Sequence, residues 1–247
     1  MTRRRIDLLL VERGLAESRA RAQALVMAGA VVAGQARVDK PGQLVDEALP
    51  LRLKEGAVPQ RYVSRGALKL EKALEVFPVD PAGLTCADLG ASTGGFTDLL
   101  LQRGAERVHA VDVGYGQLHP KLRGDPRVVV HERVNARLLE AGGLGEDVDL
   151  VVGDLSFISL RLVLPAVKAL LRPGGRAILL VKPQFEVGKG EVGKGGVVRE
   201  DEKRVAALRG VEAAARELGF EVLGHAESPI AGPAGIREWL LGLRLPR

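Results

Sequence analysis

The apolar positions in the first sixty residues form short runs separated by glycine and polar residues. Their spacing predicts a helix over residues 6–11 and a second helix that follows Ser18, the expected N-cap, and closes at Gly29. Short apolar runs at 30–32, 36–38 and 51–53 then predict three strands. The buried side of the second helix is expected to hold Ala20, Ala24, Leu25, Met27 and Ala28.

Beyond residue 60 the pattern alternates between strand-like and helix-like stretches. Strands are predicted at 83–87, 108–113, 128–130, 149–152, 176–181, 220–223 and from 238 onward. Helices are predicted near 64–77, 94–103, 158–171 and 200–217. This alternation is typical of an α/β fold, in which a mostly parallel sheet is covered by helices on both faces.

Two stretches lack any apolar period. Residues 54–60 are rich in turn formers and are interpreted as a linker, so a first domain is expected over 1–60 and a second over 61–247. Residues 184–197 contain five glycines and predict a loop beside the functional site that is ordered only with substrate. In the helix near 64–77, Ser64 is the expected N-cap, and the buried side is expected to hold Leu68, Ala73, Leu74, Val76 and Phe77.

Charged residues fall at or just past the ends of predicted strands. They are Asp88, Asp112, Asp154 and Lys182. Ligands of open parallel sheets bind at the carboxyl ends of the strands, so these side chains are expected to face a common site. Taken separately, Asp154 is also suited to capping a helix and Lys182 to a solvated loop.

A glycine-rich turn, Asp88-Leu-Gly-Ala-Ser-Thr-Gly-Gly-Phe-Thr-Asp98, follows the first strand of the second domain. Its glycines permit a sharp turn, and the helix start behind them offers unpaired N–H groups to an anion. The spacing differs from the Gly-x-Gly-x-x-Gly of dinucleotide sites and resembles the first motif of class I methyltransferases that use S-adenosylmethionine. Asp112 can accept both ribose hydroxyls of an adenosine. Asn135 is a candidate for the adenine edge, although asparagine is also a common cap.

Composition narrows the classes of function. The chain has 247 residues and is 46% hydrophobic, enough for a sizeable core, but no apolar run is long enough to span a membrane. The single Cys86 provides neither a disulfide framework nor a metal site, so a cytoplasmic protein without a bound metal is expected. Residues 1–62 hold 11 Lys and Arg against 7 Asp and Glu, whereas the remainder holds 25 against 24. The basic first quarter predicts a polyanion-binding module, with a solvated helical surface as the alternative.

The first domain resembles the RNA-binding fold of the small-subunit ribosomal protein S-four. The matching residues are Arg5-Ile6-Asp7, Leu10, Gly14-Leu15, Ser18-Arg19, Ala22, Gly29-Ala30-Val31, Gly34 and Val38. Ala33 stands where that family usually has asparagine, and no basic run follows the third strand. The resemblance implies a small α+β domain that binds RNA phosphates and places the second domain over its target. The implied RNA contacts are Arg3, Arg4, Arg5, Arg19, Arg21 and Arg37, to which we add Arg65 of the second domain.

The second domain carries motifs that resemble the haemolysin-named TlyA family of ribosomal RNA methyltransferases. The resemblance rests on segments 64–66, 88–98, 154–159, 182–186 and 228–238, and on Lys69, Asp154, Lys182 and Glu238. Members of that family join an S-four-type domain to a domain similar to the 23S rRNA ribose methyltransferase FtsJ. The resemblance implies a Rossmann-like class I fold with a mostly parallel seven-stranded sheet. It also implies methyl transfer from S-adenosylmethionine to a cytidine ribose 2′-hydroxyl in 16S or 23S rRNA.

The residues of the site follow from the same resemblance. Catalysis is assigned to a tetrad of Lys69, Asp154, Lys182 and Glu238, although the segment around Lys69 alone favours an exposed helical stripe. Cofactor binding is assigned to Asp88, Gly90, Ala91, Ser92, Thr93, Gly94, Gly95, Phe96, Thr97, Asp112, Val113, Asn135 and Asp154. Ile236 stands where the family usually has asparagine.

The tetrad suits the removal of a proton from a poor nucleophile. Lys182 is expected to deprotonate the hydroxyl, which requires desolvation or a neighbouring cation, here Lys69, that favours the neutral amine. Asp154 is expected to position Lys182 and the methyl donor, and Glu238 to hold Lys69 because a buried carboxylate needs a partner.

Three other functions are compatible with parts of the sequence. They are a non-catalytic RNA-binding factor of ribosome assembly, a base methyltransferase and a membrane-lytic haemolysin. The intact tetrad weighs against the first. Leu155-Ser156-Phe157, where base methyltransferases commonly have Pro-Pro-Tyr or Pro-Pro-Phe, weighs against the second. An aromatic content of 3% without a basic amphipathic helix weighs against the third.

Overall fold

The computed structural model describes residues 3–16, 18–27, 29–53, 61–188, 190–193, 195–232 and 235–247, except for the side chain of Ala24. The chain divides into two compact units, Met1–Arg61 and Tyr62–Arg247, which we call the first and the second unit. The linker expected at 54–60 lies outside the described residues, as does Ala28.

The first unit is a small α+β structure with two short sheets. Strands β2, β3 and β5 form one antiparallel sheet in the order β3-β2-β5, and β1 pairs with β4 in the other. The predicted helices and the three predicted strands are present, whereas the pairing of β1 with β4 was not predicted. The elements are β1 Arg3–Arg5, α1 Ile6–Glu12, α2 Arg19–Met27, β2 Val31–Ala33, β3 Ala36–Arg37, β4 Leu44–Asp46 and β5 Leu51–Leu53.

The buried face of helix α2 agrees with the prediction at Leu25 but not at two other described positions. Ser18 caps it as expected, because its Oγ accepts a hydrogen bond from the Arg21 N–H (3.2 Å). The buried residues are Ala22, Leu25 and Val26, which share one face at the helical period. Ala20 and Met27 are exposed, so their predicted burial is wrong.

The second unit alternates strands and helices as predicted. It contains α3 Ala67–Val76, β6 Thr85–Leu89, α4 Gly95–Gln102, β7 Arg107–Asp112, α5 Pro120–Arg123, β8 Val128–Glu132, β9 Val148–Gly153, α6 Leu164–Leu170, β10 Leu171–Val181, α7 Pro183–Glu186, α8 Asp201–Glu217, β11 Glu221–Glu227 and β12 Trp239–Arg244. Short 3₁₀ turns at Ala136–Leu138 and Leu160–Leu162 follow β8 and β9.

Seven strands form one mostly parallel sheet in the order β11-β12-β10-β9-β6-β7-β8. Strands β8, β7, β6, β9 and β10 are parallel to one another, and β12 is antiparallel to both β10 and β11. Because β6 has β7 on one side and β9 on the other, the order of the strands reverses at β6, and a crevice is expected at its carboxyl end. The predicted fold class is confirmed.

Helices cover both faces of this sheet. Successive residues of a strand point to opposite faces, so Cys86 packs in a cluster with Leu70 and Leu99, whereas Ala87 packs in a cluster with Val167 and Leu208. Helices α3 and α4 thus lie on one face, and α6 and α8 lie on the other. This arrangement leaves the carboxyl ends of the strands as the open edge of the sheet.

Two local expectations in the second unit were wrong. The N-cap of α3 is Gly66 rather than Ser64, and no side chain caps the helix. Leu68 and Val76 are exposed, whereas Ala73 and Phe77 are buried as predicted, and α3 also buries Lys69 and Leu70. The stretch predicted as a loop over 184–197 begins within α7, although Lys189 and Lys194 lie outside the described residues.

Candidate active site

The carboxylate of Asp88 joins the end of β6 to the start of α4. Asp88 is buried, and its Oδ2 accepts hydrogen bonds from the backbone N–H (3.0 Å) and the hydroxyl (2.7 Å) of Thr97. Burial raises the pKa of Asp88 to about 7, although the bonds from Thr97 act in the opposite direction. Thr97 is itself fully buried, so it anchors Asp88 and does not line a cavity of the site.

Two glycines of the turn adopt left-handed backbone angles. Gly90 has a φ of +82°, and a Cβ there would lie 3.1 Å from the carbonyl oxygen of Asp154. Gly94 has a φ of +95°, and a Cβ there would overlap Leu122 of α5. Gly90 therefore lets the turn approach the loop after β9. Gly94 serves the packing of α5 and lines neither cavity, unlike most of the residues predicted to bind the cofactor.

The larger of two adjoining cavities has a volume of about 490 Å³ and lies beyond the ends of β6, β7, β8 and β9. The two carboxylate oxygens of Asp112 accept hydrogen bonds from the Ser92 N–H (2.8 Å) and the Gly114 N–H (2.7 Å). Asn135 caps the following 3₁₀ turn, because its Oδ1 accepts a hydrogen bond from the Arg137 N–H (3.1 Å). The predicted cofactor residues that line this cavity are Gly90, Ser92, Asp112, Val113, Asn135 and Asp154.

The smaller cavity has a volume of about 290 Å³ and contains the predicted catalytic residues. It shares Gly90, Ser92, Asp154 and Ser156 with the larger cavity, so the two adjoin along the glycine turn and the loop after β9. The predicted residues that line only the smaller cavity are Lys69, Asp88, Ala91, Thr93, Gly95, Phe96, Lys182 and Glu238.

Lys69 lies on the buried face of α3, with 8% of its side chain exposed. Its Nζ is 2.6 Å from Glu238 Oε2 and 3.0 Å from Asp154 Oδ2. Burial alone would lower the pKa of Lys69, but the charges of Asp154 and Glu238 outweigh it and raise the pKa. The exposed stripe favoured by its segment alone is wrong, because the helical period places Lys69 beside Leu70 and Ala73.

Asp154 joins the two lysines. Its Oδ2 contacts Lys69 and its Oδ1 lies 2.6 Å from Lys182 Nζ. Burial alone would raise the pKa of Asp154, but the charges of Lys182 and Lys69 lower it below its ordinary value. A charged carboxylate therefore stands between two amines at the junction of the cavities.

Strand register brings Lys182 and Glu238 together. Val181 pairs with Trp239, so Lys182 and Glu238 occupy the next positions of two neighbouring strands. Both are buried, and Lys182 Nζ also lies 2.8 Å from the hydroxyl oxygen of Ser156. Sequence reasoning did not single out Ser156, since a serine beside an aspartate in a loop resembles any turn residue.

Glu186 fixes the loop after β9 to helix α7. Its buried carboxylate accepts hydrogen bonds from the Ser159 hydroxyl (2.6 Å) and the Leu160 N–H (2.7 Å). The Arg161 guanidinium donates to the backbone carbonyl oxygen of Glu186 (2.7 Å). Burial raises the pKa of Glu186 despite these bonds. Glu186 was assigned no role from the sequence. The feature that could have identified it is a carboxylate in a short apolar segment directly after a buried strand.

Family models cover both units of the chain. A model of the FtsJ-like methyltransferase matches residues 62–245, and a model of the S4 domain matches residues 4–48. The 16S/23S rRNA (cytidine-2′-O)-methyltransferase TlyA of Mycobacterium tuberculosis is 50% identical over 98% of this chain and 90% of that protein. YqxC of Bacillus subtilis is 49% identical over 98% of this chain and 86% of that protein. The chain belongs to the TlyA family.

Solved structures agree with this membership. A haemolysin-named protein of Streptococcus thermophilus is 45% identical and covers 100% of this chain and 90% of its own length, with a TM-score of 0.76. An S-adenosylmethionine-dependent methyltransferase of Mesorhizobium loti covers 72% of this chain and 98% of its own length with a TM-score of 0.54. At 17% identity the second likeness shows the fold alone. The second unit thus has the methyltransferase fold of the TlyA family.

The S4 unit carries the arginines predicted to contact RNA, and several of them make ion pairs. Arg4 pairs with Glu12 (2.9 Å) and Arg37 with Asp39 (2.7 Å). Arg5 and Arg19 both pair with the buried Asp7, which gives them a part in the fold. Arg3 and Arg37 line a cavity of about 320 Å³ together. Arg21 is partly buried at the surface of α2, and Arg65 is exposed in the second unit.

The described part of the chain holds neither a membrane-spanning helix nor a metal-binding cluster. None of its helices combines the length and apolar character needed to cross a membrane. Among the same residues, no group of three or more His, Cys, Asp or Glu side chains is arranged to hold a metal ion. The tetrad is therefore the cluster on which a functional assignment can rest.

Proposed function

We propose that this chain transfers a methyl group from S-adenosylmethionine to the ribose 2′-hydroxyl of a cytidine in 16S or 23S ribosomal RNA. The observation that carries the proposal is the ion-paired arrangement of Lys69, Asp154, Lys182 and Glu238 at a cavity that adjoins a second, larger one. The activity stated for the TlyA protein of Mycobacterium tuberculosis, which is 50% identical, supports the same assignment.

The larger cavity fits the adenosine part of the cofactor. Asp112 offers carboxylate oxygens to ribose hydroxyls, and Asn135 would meet the adenine edge. Gly90 keeps the turn free of a Cβ where the cofactor chain would pass towards the smaller cavity. When bound, S-adenosylmethionine supplies a methyl group on a positively charged sulfur.

The residues of the smaller cavity would activate the acceptor. Lys182 would orient the 2′-hydroxyl and take its proton, which requires the neutral amine. Lys69, kept charged by Asp154 and Glu238, is the neighbouring cation that favours that neutral form. Asp154 would position Lys182 and hold it beside the end of the methyl donor, so that alignment supplies much of the rate.

The S4 unit would bind the RNA through its phosphates. Its arginines lie on a unit that carries nearly all the excess positive charge of the chain, and such contacts give affinity and orientation rather than base readout. Ribosomal RNA or a ribosomal subunit is therefore the proposed partner. Arg65, exposed near the start of α3, is the proposed contact from the second unit.

The substitution Lys182→Ala tests this proposal. It should abolish the transfer of tritium from labelled S-adenosylmethionine to ribosomal RNA, while titration calorimetry shows cofactor binding near that of the wild type. Lys168→Ala is the matched control, because Lys168 is an exposed lysine of α6 whose amine donates to the Leu218 carbonyl oxygen. It should leave turnover unchanged.

Product analysis tests the acceptor separately. Digestion of the product to nucleosides, followed by mass spectrometry, should find the methyl group on the ribose of cytidine. Methyl groups on a base would contradict the proposed acceptor, and normal turnover by Lys182→Ala would contradict the role given to Lys182. Cofactor binding without methyl transfer by the wild type to rRNA or ribosomal subunits would favour a non-catalytic binding factor instead.

A further inference from the structure

Ser156 connects the amine of Lys182 to the rim shared by the two cavities. It lies two residues after Asp154 in the loop that follows β9 and lines both cavities. Its Oγ is 2.8 Å from Lys182 Nζ. Ser156 is exposed, whereas Lys182 and the carboxylate that binds it are largely enclosed.

The two contacts of Lys182 determine which direction on its nitrogen is open. A lysine nitrogen is tetrahedral, with one position taken by Cε and three by hydrogens or a lone pair. Among the described residues, two acceptor oxygens lie beside this nitrogen: Ser156 Oγ, which accepts a hydrogen bond at 2.8 Å, and Asp154 Oδ1, which forms an ion pair at 2.6 Å. A neutral amine that donates to both acceptors must place its lone pair in the third direction.

We propose that Ser156 is a positioning residue that, together with Asp154, aims the lone pair of Lys182 at the acceptor hydroxyl. The inference rests on the proposed function, in which Lys182 takes the proton of the 2′-hydroxyl. With Asp154 as the only acceptor, the amine could rotate about its Cε–Nζ bond, and the lone pair would be aimed correctly for a smaller part of the time.

The reaction step balances with the groups named. The O–H bond of the ribose hydroxyl breaks, and its proton moves to the lone pair of Lys182, which becomes an ammonium. The oxygen uses its electron pair to form a bond to the methyl carbon, and the carbon–sulfur bond breaks with its pair left on sulfur. The sulfonium thereby becomes a neutral thioether, and the positive charge passes to Lys182, which forms an ion pair with Asp154 and donates a hydrogen bond to Ser156.

Removal of the Ser156 hydroxyl should leave a kinetic signature of two parts. The maximal rate should fall about tenfold because the lone pair is less well directed. The rise of rate with pH should move to lower pH, because the hydroxyl oxygen stabilises the ammonium more than the neutral amine. The other titratable groups around this cavity, Lys69, Asp88, Asp154 and Glu238, are unchanged by the substitution.

The experiment compares Ser156→Ala, Ser156→Thr and the control Ser159→Ala in the full chain, with ribosomal RNA as the acceptor. Ser159 belongs to the same loop, but its hydroxyl bonds to Glu186 rather than to a lysine. The measurements are kcat, the KM for S-adenosylmethionine and the pH dependence of kcat, with cofactor affinity by calorimetry as a check on folding. Ser156→Thr keeps a hydroxyl and should restore most of the rate and the wild-type profile.

The inference is supported if Ser156→Ala lowers kcat, leaves the KM for the cofactor near its normal value and moves the pH profile, while Ser159→Ala keeps the wild-type profile. A wild-type rate and profile for Ser156→Ala would overturn it. Equal losses in Ser156→Ala and Ser159→Ala with an unmoved profile would also overturn it, since the role would then be structural. Full activity of Lys182→Ala would refute the role of Lys182 as the base, on which this inference rests, whereas the absence of methyl transfer by the wild type would refute the proposed function itself.

Discussion

Each unit of this protein contains an enclosed aspartate held by two basic side chains, and the two clusters differ in the kind of base. In the S4 unit, Asp7 is fully buried and binds Arg5 (2.9 Å) and Arg19 (3.0 Å). In the methyltransferase unit, Asp154 binds Lys69 (3.0 Å) and Lys182 (2.6 Å). In both clusters the net effect on the aspartate is a lowered pKa.

The difference lies in what the bases can do. A guanidinium remains charged at any working pH, whereas a lysine amine can lose its proton when it is desolvated. The side chains of Arg5 and Arg19 are 42% and 54% exposed, but those of Lys69 and Lys182 are 8% and 9% exposed and line a cavity. One cluster therefore stabilises a fold, and the other lies where a ligand can reach it.

The substitution Asp154→Asn is the strongest test of this difference between the two clusters. The change keeps the shape of the side chain but removes the charge between the two lysines. We expect methyl transfer to fall about 1,000-fold, because Lys182 loses the partner that orients it and Lys69 loses one of its two carboxylates. Single-turnover transfer from labelled cofactor to ribosomal RNA measures the effect. An Asp154→Asn protein with a rate within a factor of about two of the wild type would remove Asp154 from the catalytic group.

The corresponding change in the S4 unit, Asp7→Ala, should act on stability instead. It leaves Arg5, Arg19 and Gln23 without their shared acceptor. We expect the free energy of unfolding of that unit to fall by about 2 kcal/mol, between the values typical of buried and surface pairs, because both arginines can turn to solvent. Hydrogen exchange of peptides from α1 and α2, read by mass spectrometry, locates the loss.

The pH dependence of the same cluster has a definite sign. A lowered pKa in the folded state means that the stabilisation by Asp7 is present above the ordinary carboxyl value and is lost as the pH falls through the folded value. Asp7→Ala should remove this part of the acid sensitivity of the S4 unit. Cofactor binding by the methyltransferase unit should be unchanged, and a loss there would show that the cluster has a role beyond its own unit.

The sequence predicted most of the second unit because its apolar runs are long and alternate between two periods. The convergence of the charged residues after its strands was also predictable, because the carboxyl ends of parallel strands lie at one edge of the sheet. The burial of Lys69 was harder to predict, because its helix is short and its apolar neighbour Leu68, which the pattern predicts to be buried, is exposed. Only the tertiary contacts with Asp154 and Glu238 determine which face of α3 is buried.

Other features depend on contacts that no local pattern records. Ser156 and Glu186 are common loop and helix residues, and their roles arise from pairing across 26 to 27 positions in the chain. In α2, Val26 is buried and Met27 is exposed, and the two positions are about 100° apart around the helix axis. Both residues are apolar, so the composition of the segment does not decide which of them faces the core. The pairing of β1 with β4 joins strands of three residues each, which carry almost no periodic signal.

A third aspartate, which is buried, sharpens the comparison, because among the described residues its hydrogen bonds come from a threonine rather than from a base. Burial raises the pKa of Asp88 to about 7, the nearby Asp154 and Asp112 add to the rise, and the hydrogen bonds from Thr97 only partly oppose it. The raised value means that the folded state holds a proton that the unfolded chain has already released at neutral pH. The stability of the second unit should therefore fall as the pH rises from the ordinary carboxyl value through about 7.

Asp88→Asn tests this with the smallest of the expected effects. In the wild type, the free energy of unfolding should drop by about 1 kcal/mol between about pH 6 and about pH 8 from this residue alone. Asparagine keeps an oxygen that can accept the bonds from Thr97 but has no proton to lose, so that part of the slope should disappear. Denaturant titrations of both proteins across this pH range measure the slope. Parallel slopes would mean that Asp88 is charged in the fold at neutral pH, and that a buried aspartate in this protein can keep its charge without a basic partner.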